Sequence, residues 1–270
     1  MSDACTSVLL DLLTLTPDGA DGWVGPGAGP AGKRSFGGLF AAQSLAAACH
    51  TVDAGLRPTN MHLQFLRGGE AGDSSDYRVD RIYDGRTAAA RRVESRQHGR
   101  LLNTATVSFS AALAGPEHGT RSSMPAHPDT LEQTGPPGPA PSLPLDELDI
   151  RVDDDRSGGQ FVRRMWWRTR FDLPAQDLLH TLVAVYVTDL YGIDPILQVH
   201  GHAMAARTHR GGTTDSSIWF HRPLRADQWN LLESSSPAAA GGRGVVTASL
   251  IREDGVIAAT LVQEGLAADR

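Results

Sequence analysis

Two stretches of the chain are apolar on almost every side of a helix. Residues 36–49 (FGGLFAAQSLAAAC) and 177–190 (DLLHTLVAVYVTDL) lack a continuous polar face, so each predicts a helix buried on most sides rather than one laid on a surface. Downstream of each, short runs with period-two alternation and turn residues between them predict strands: 77–83, 89–98 and 101–111 after the first helix, and 216–222, 228–234, 244–252 and 256–264 after the second. The order is a buried helix followed by antiparallel hairpins. A sheet wrapped round a helix, an α+β arrangement, satisfies it, whereas βαβ winding would need helices between the strands. The first fifteen residues, MSDACTSVLLDLLTL, carry no basic leader and are interrupted by Asp11, and they read as a short amphipathic helix. No stretch approaches the roughly 18 apolar residues of a membrane span.

Pro and Gly punctuate the pattern twice. Residues 17–38 read as a loop leading into the first helix, and residues 114–145 as a Pro/Gly-rich linker. The linker divides the chain into an N-terminal half, 1–113, and a C-terminal half, 146–270, and the halves repeat each other. Phe65-Leu66-Arg67 answers Phe220-His221-Arg222 at an offset of 155 residues, the hairpin run 96–101 answers 252–257 at 156, and Thr104 then falls on Thr260. One residue of slippage is what a single loop insertion gives, and the repeat predicts a duplicated unit.

Composition narrows the function classes. The 270 residues are 40% hydrophobic and 21% charged with a net charge of −6, which suits a globular chain and offers no basic field for nucleic acid. Cys5 and Cys49 are the only cysteines, too few for a disulfide framework, so a reducing cytoplasm is expected. The run 27–34 (GAGPAGKR) imitates a phosphate loop, but Arg34 stands where Ser or Thr should hold magnesium and Pro30 removes a backbone donor. His200, His202 and His209 fall into no ligand pattern, and no G-x-S-x-G elbow occurs.

Three polar residues sit where apolar ones are expected. Asp189 ends the second helix among Val185, Val187 and Leu190; a carboxylate there needs donors or a raised pKa, unless it merely caps a loop near Gly192. Alternation puts Gln263 on the face of Ile257, Ala259 and Leu261, pointing inward if that face is the core. Thr213 stands just before the apolar part of a strand. Polarity alone does not bring the three together.

The run Ser217-Ile218-Trp219-Phe220-His221-Arg222-Pro223, with Arg225-Ala226-Asp227-Gln228-Trp229, Asp254-Gly255 and Gln263-Glu264-Gly265-Leu266, resembles the type II acyl-CoA thioesterases. Phe36-Gly37-Gly38, Gln43-Ser44-Leu45, Phe65-Leu66-Arg67 and Asp84-Gly85-Arg86 in the first half agree, so the resemblance spans about residues 30 to 266. It implies a double hotdog, two helix-wrapped antiparallel sheets fused in one chain. It further implies hydrolysis of an acyl-CoA thioester with no metal or organic cofactor, by water that Asp189, Thr213 and Gln263 hold and activate. Leu39, Gly68 and Ser216 depart from the family pattern, in which Gln or His, Pro, and His are expected; these departures bear on acyl specificity.

On this reading Asp189 accepts the proton of the attacking water, with direct attack by Asp189 left open. Gly37 and Gly38 are candidate substrate-binding residues whose N–H groups face the oxyanion, or else they let the first helix pack tightly on the sheet. Arg67, Arg91, Arg92 and Arg222 are candidates for the phosphates of CoA or ordinary exposed strand arginines. Acyl-CoA is the expected partner, with no nucleic acid and no membrane, and a homo-oligomer is a further expectation. The rival readings are another double-hotdog reaction, such as a dehydration, and a non-catalytic acyl-thioester-binding module.

Overall fold

A computed structural model of the protein describes residues 7–119, 124–134, 143–157 and 160–270; Cys5 and parts of the 114–145 segment lie outside them. Helix α1 (Val8–Leu13) begins at Ser7, whose hydroxyl accepts the Leu10 N–H at 3.1 Å, an N-cap that satisfies one free donor of the first turn. Strands β1 (Thr16–Pro17) and β2 (Gly22–Gly25) pair within the stretch read as loop, and α2 (Gly37–Cys49) follows. Strands β3 (Leu56–Phe65), β4 (Ser75–Asp84), β5 (Ala88–Gln97) and β6 (Arg100–Ala111) complete the first half. The second half runs β7 (Leu148–Asp155), β8 (Val162–Thr169), α3 (Asp177–Thr188), α4 (Asp194–Gln198), β9 (His209–Phe220), β10 (Asn230–Ala240), β11 (Arg243–Arg252) and β12 (Ile257–Asp269).

The expectation of two sheets is corrected. The strands form one antiparallel sheet in the order β1-β2-β4-β5-β6-β3-β9-β12-β11-β10-β8-β7. The join is the pairing of β3 with β9, from Asn60 opposite Trp219 to Gln64 opposite Asp215. The physical reason is that each of these strands would otherwise end its own half with a row of unpaired backbone groups, and pairing them removes both edges. Outward from that join the order is the same on both sides: β6, β5, β4, β2, β1 against β12, β11, β10, β8, β7. The β5–β6 and β11–β12 turns, the hairpins of the sequence repeat, place Gly99 (φ 74°) and Gly255 (φ 80°) in the left-handed region, where a side chain would be strained.

The core lies between this sheet and α2 and α3. In α2 every residue from Gly38 to Ala48 is buried, and its Ala, Ser and Gly side chains are short enough for α3 to lie against it. A Cβ on Gly38 would stand 2.3 Å from the Tyr186 carbonyl oxygen, so this glycine sets the close approach of the two helices, rather than of helix to sheet. The polar interruption of α2, Gln43, is fully partnered: its amide donates to the Leu12 and Pro26 carbonyls at 2.6 and 3.0 Å and accepts from the Tyr77 hydroxyl at 2.6 Å. Arg91 is likewise an interior residue, contrary to both roles expected of it. It is 1% exposed, and its guanidinium donates to the Thr51 hydroxyl at 2.7 Å, the Thr51 carbonyl at 2.9 Å and Asp84 at 2.5 Å, tying β5 to the segment after α2.

Candidate functional site

Helix α3 stops where its residues stop supporting it. Thr188 turns its hydroxyl back to the Val185 carbonyl at 2.7 Å, Asp189 is the C-cap in the αR conformation, and Gly192 follows before α4 starts, with Pro195 in the first turn of that helix. The C-terminal end of α3 meets the N-terminal end of α2. A Cβ on Gly37 would lie 2.5 Å from Asp189 Oδ2, so only glycine leaves the carboxylate room there. Asp189 is thus both a cap residue and an inward-facing acid, the two alternatives that its sequence position allowed.

Thr213 lies inside β9, further into a strand than the sequence pattern placed it, and its Oγ1 donates to Asp189 Oδ1 at 3.1 Å. Gln263, on the inner face of β12, is 4% exposed, and its Nε2 donates to Ser216 Oγ at 3.3 Å across the β9–β12 pair. The three polar side chains converge beside Gly192: the point where a Cβ would stand is 2.9 Å from Asp189 Oδ1, 3.2 Å from Gln263 Oε1 and 3.4 Å from Thr213 Oγ1. Burial pushes the Asp189 carboxyl up to about 6, against the opposing pull of hydrogen bonds from Thr213, the Gly38 N–H and Gln263, which favour the charged form. The positive end of the α2 dipole acts in the same direction, and the negative end of α3, which Asp189 caps, acts against it. The Gly38 N–H therefore serves the carboxylate, and Gly37 is the glycine of the pair that borders the adjoining cavity.

Asp189, Gly192 and Thr213 open onto a cavity of about 640 Å³ whose wall also includes Gly37, Phe36, Phe65, Arg34 and Arg67. The loop that carries Gly192 is fixed from behind by a buried ion-pair network. Arg163 on β8 donates to Asp194 at 2.6 Å and to both oxygens of Asp154 at 2.9 and 2.8 Å, and its guanidinium lies 4.4 Å from the centre of the Tyr191 ring. Asp194 in turn accepts from the Met204 N–H at 2.8 Å and from Gln198 at 3.0 Å. The sequence reading missed Gly192, Ser216 and this network. Ser216 carried a signal as a departure from the family pattern, but its pairing with Gln263 depends on strand register. Of the arginines weighed for phosphate, Arg67 alone borders this cavity; Arg92 pairs with Asp80 and Arg222 with Glu117, both at the surface. The His202 and His209 rings lie tilted to each other with centres 5.0 Å apart, and no group of three or more His, Cys, Asp or Glu side chains suited to a metal occurs among the described residues. No helix is long and apolar enough to cross a membrane, again among the described residues.

Residues 25–110 match a protein-family model described as the acyl-CoA thioesterase N-terminal domain, and residues 121–267 match the C-terminal domain. The chain belongs to the acyl-CoA thioesterase family. It is similar to human acyl-coenzyme A thioesterase 8, at 32% identity over 87% of this chain and 80% of that protein. Among solved structures it is similar to the acyl-CoA thioesterase II TesB2 of Mycobacterium marinum, with a TM-score of 0.84 and 29% identity over 96% of this chain and 98% of that one, which puts it with the type II thioesterases. A protein of Alicyclobacillus acidocaldarius described as having a hot dog fold superposes with a TM-score of 0.78 at 18% identity over 96% and 97% of the two chains, a likeness of fold alone. In this thioesterase the hotdog helices are α2 and α3, and the candidate site lies where they meet end to end.

Proposed function

We propose that this acyl-CoA thioester hydrolase works through water held between Thr213 and Gln263 and deprotonated by Asp189. The thioester enters by the 640 Å³ cavity with its acyl carbon beside Gly192. Asp189 takes the proton as the water oxygen attacks, and the tetrahedral intermediate collapses with release of the CoA thiolate, which the Asp189 proton neutralises. The free N–H at the start of α2, that of Gly37, is the donor for the developing oxyanion, in a position where the helix dipole assists. Gly38 acts one step back, orienting Asp189 with its N–H.

The observation that carries this reading is the convergence of one acid, one hydroxyl and one amide on a glycine at the base of a cavity. An acid whose pKa is raised to about 6 is a stronger base than an exposed aspartate and is still ionised at neutral pH. We read the architecture as a double hotdog, with 1–113 and 146–270 as the two halves and 114–145 as the connection. The test is a thiol-release assay over short, medium, long and aromatic acyl-CoAs with the wild type and Asp189→Asn. The expected result is hydrolysis of at least one class by the wild type and loss of about 10²–10⁴-fold in the variant; full activity in Asp189→Asn overturns the assignment.

A further inference from the structure

Most arginines of this acidic chain are tied to carboxylates: Arg78 to Asp18, Arg81 to Asp21, Arg92 to Asp80 and Arg252 to Asp254 are examples. Two at the mouth of the Asp189 cavity are not. Arg34 and Arg67 both border it, and neither pairs with a carboxylate among the described residues. Arg67 donates from Nη1 to the Leu101 carbonyl at 2.9 Å, which fixes its guanidinium and leaves its charge uncompensated. The other acid on the cavity wall besides Asp189, Asp194, is paired with Arg163 at 2.6 Å, which Asp154 shares at 2.8 Å. Arg34 and Arg67 thus stand as two cations without a carboxylate partner among the described residues, on a protein whose net charge is −6.

Arg34 is also given a bed. Its guanidinium lies over Gly68 and reaches across to Gly212 of β9. A Cβ on Gly68 would stand 2.4 Å from Nε, 3.0 Å from Nη2 and 3.1 Å from Cζ, and one on Gly212 3.6 Å from Nη1. Gly68 is the position that departs from the Pro expected after Phe65-Leu66-Arg67, and its missing side chain is what lets Arg34 lie across the rim. A planar fork held flat with its charge unmatched suits a phosphate, which it can bind through two N–H groups at once.

We propose that Arg34, seated on Gly68 and joined by Arg67, binds phosphate of the coenzyme A moiety at the mouth of the Asp189 cavity and selects phosphate-bearing thioesters. This rests on the hydrolytic reading of the same cavity. Phosphate could come from the nucleotide of CoA or from a phosphopantetheine arm, so the test uses one acyl group on three carriers: CoA, 4′-phosphopantetheine and phosphate-free pantetheine. For Arg34→Ala the expected result is a KM for acyl-CoA raised about tenfold with kcat within about twofold, and an unchanged KM for acyl-pantetheine. Whether acyl-phosphopantetheine follows acyl-CoA or acyl-pantetheine tells which phosphate is read. The tenfold preference should shrink with added salt.

Gly68→Ala is the second variant. The atoms it displaces are the far end of a flexible side chain, and Gly68 is not among the glycines with positive φ, so the fold tolerates it. It should raise the acyl-CoA KM as Arg34→Ala does, and the double variant should be no worse than either single one. Equal KM changes on acyl-CoA and acyl-pantetheine, or no change on either, overturn the proposal. Calorimetric titration with free CoA needs no turnover: weaker CoA binding by Arg34→Ala sustains the phosphate site even if the hydrolytic assignment fails, and unchanged CoA affinity overturns it.

Discussion

The antiparallel pair α2 and α3 has two ends, and the duplication gives both the same scaffold. At one end α3 finishes against the start of α2, beside the 640 Å³ cavity. At the other, α2 finishes near the start of α3, beside a second cavity of about 690 Å³ walled by Cys49, Arg57, Asp177, Arg222 and neighbours. The strand registers put the two ends in correspondence. The irregularity in the β3–β6 pairing skips Thr59 between Pro58 and Asn60, and the one in the β9–β12 pairing skips Thr214 between Thr213 and Asp215. Pro58 thus matches Thr213. Counting along the partner strands from Phe109 and Gly265, Val107 matches Gln263. At the helix end, Cys49 and His50 stand where Thr188 and Asp189 close α3.

The second end therefore has the architecture without the chemistry. Proline has no hydroxyl, valine has no amide, and the place of Asp189 is taken by His50, whose ring stacks on Trp23 and is not part of the cavity wall; burial pushes the neighbouring Cys49 thiol up to about 12, which keeps it protonated and poorly nucleophilic. On the proposed mechanism the fold supplies the place, a helix end facing a sheet cavity, and three side chains decide which of two corresponding places is equipped for hydrolysis.

The comparison can be broken most directly at the equipped end. Asp189→Asn removes the base and should lower kcat about 10²–10⁴-fold, measured as thiol release. Gly192→Ala puts a methyl group at the point of convergence, within 3.4 Å of all three polar atoms; it should come close to Asp189→Asn in effect, with circular dichroism unchanged. Thr213→Val, which keeps the shape and removes the hydroxyl donor to Asp189, should cost about 10–100-fold as one charge-assisted hydrogen bond. The same exchange carries a stability signature. A carboxyl raised from 3.8 to about 6 on folding stabilises the protein fully below 3.8, and that contribution is lost as pH rises through 6. Asp189→Asn should therefore be more stable than wild type by about 1–3 kcal/mol at pH 7.5, with the gain vanishing near pH 4, as read from denaturant midpoints. The smallest effect belongs to the other end: Cys49→Ser should leave kcat within about twofold, and a loss near that of Asp189→Asn would mean that the ends are not functionally distinct.

Sequence pattern reached the helices and much of the site because both leave strong local signals. Residues 36–49 and 177–190 are too apolar to be anything but buried, and Asp189 and Gln263 are conspicuous because each interrupts an apolar face. Other features are not local. Strand β3 contains Pro58, which argues against a central strand, yet β3 lies at the middle of the sheet: Pro58 stands at the irregularity of the β6 pairing and outside the β9 pairing, which starts at Asn60. Strand β7 ends in Asp153-Asp154-Asp155, where Arg163 and Arg164 on β8 pair with Asp154 and Asp155, a match between strands that neither stretch shows alone. The union of two sheets through β3 and β9 is a matter of register, which no single stretch encodes. Gly192 reads as a helix stop, and only its three-dimensional neighbours reveal a second duty. Gly68 and Arg34 are 34 residues apart, and their contact becomes meaningful only at the cavity rim.

If Asp189 acts as the ionised base, the pH dependence of kcat/KM on an acyl-CoA substrate must show its titration. The expected profile has an acid limb with an apparent pKa near 6, activity rising with pH through that value as the carboxyl loses its proton and then holding level toward pH 8. A profile flat from pH 5 to 8, or one whose acid limb persists unchanged in the residual activity of Asp189→Asn, would contradict it.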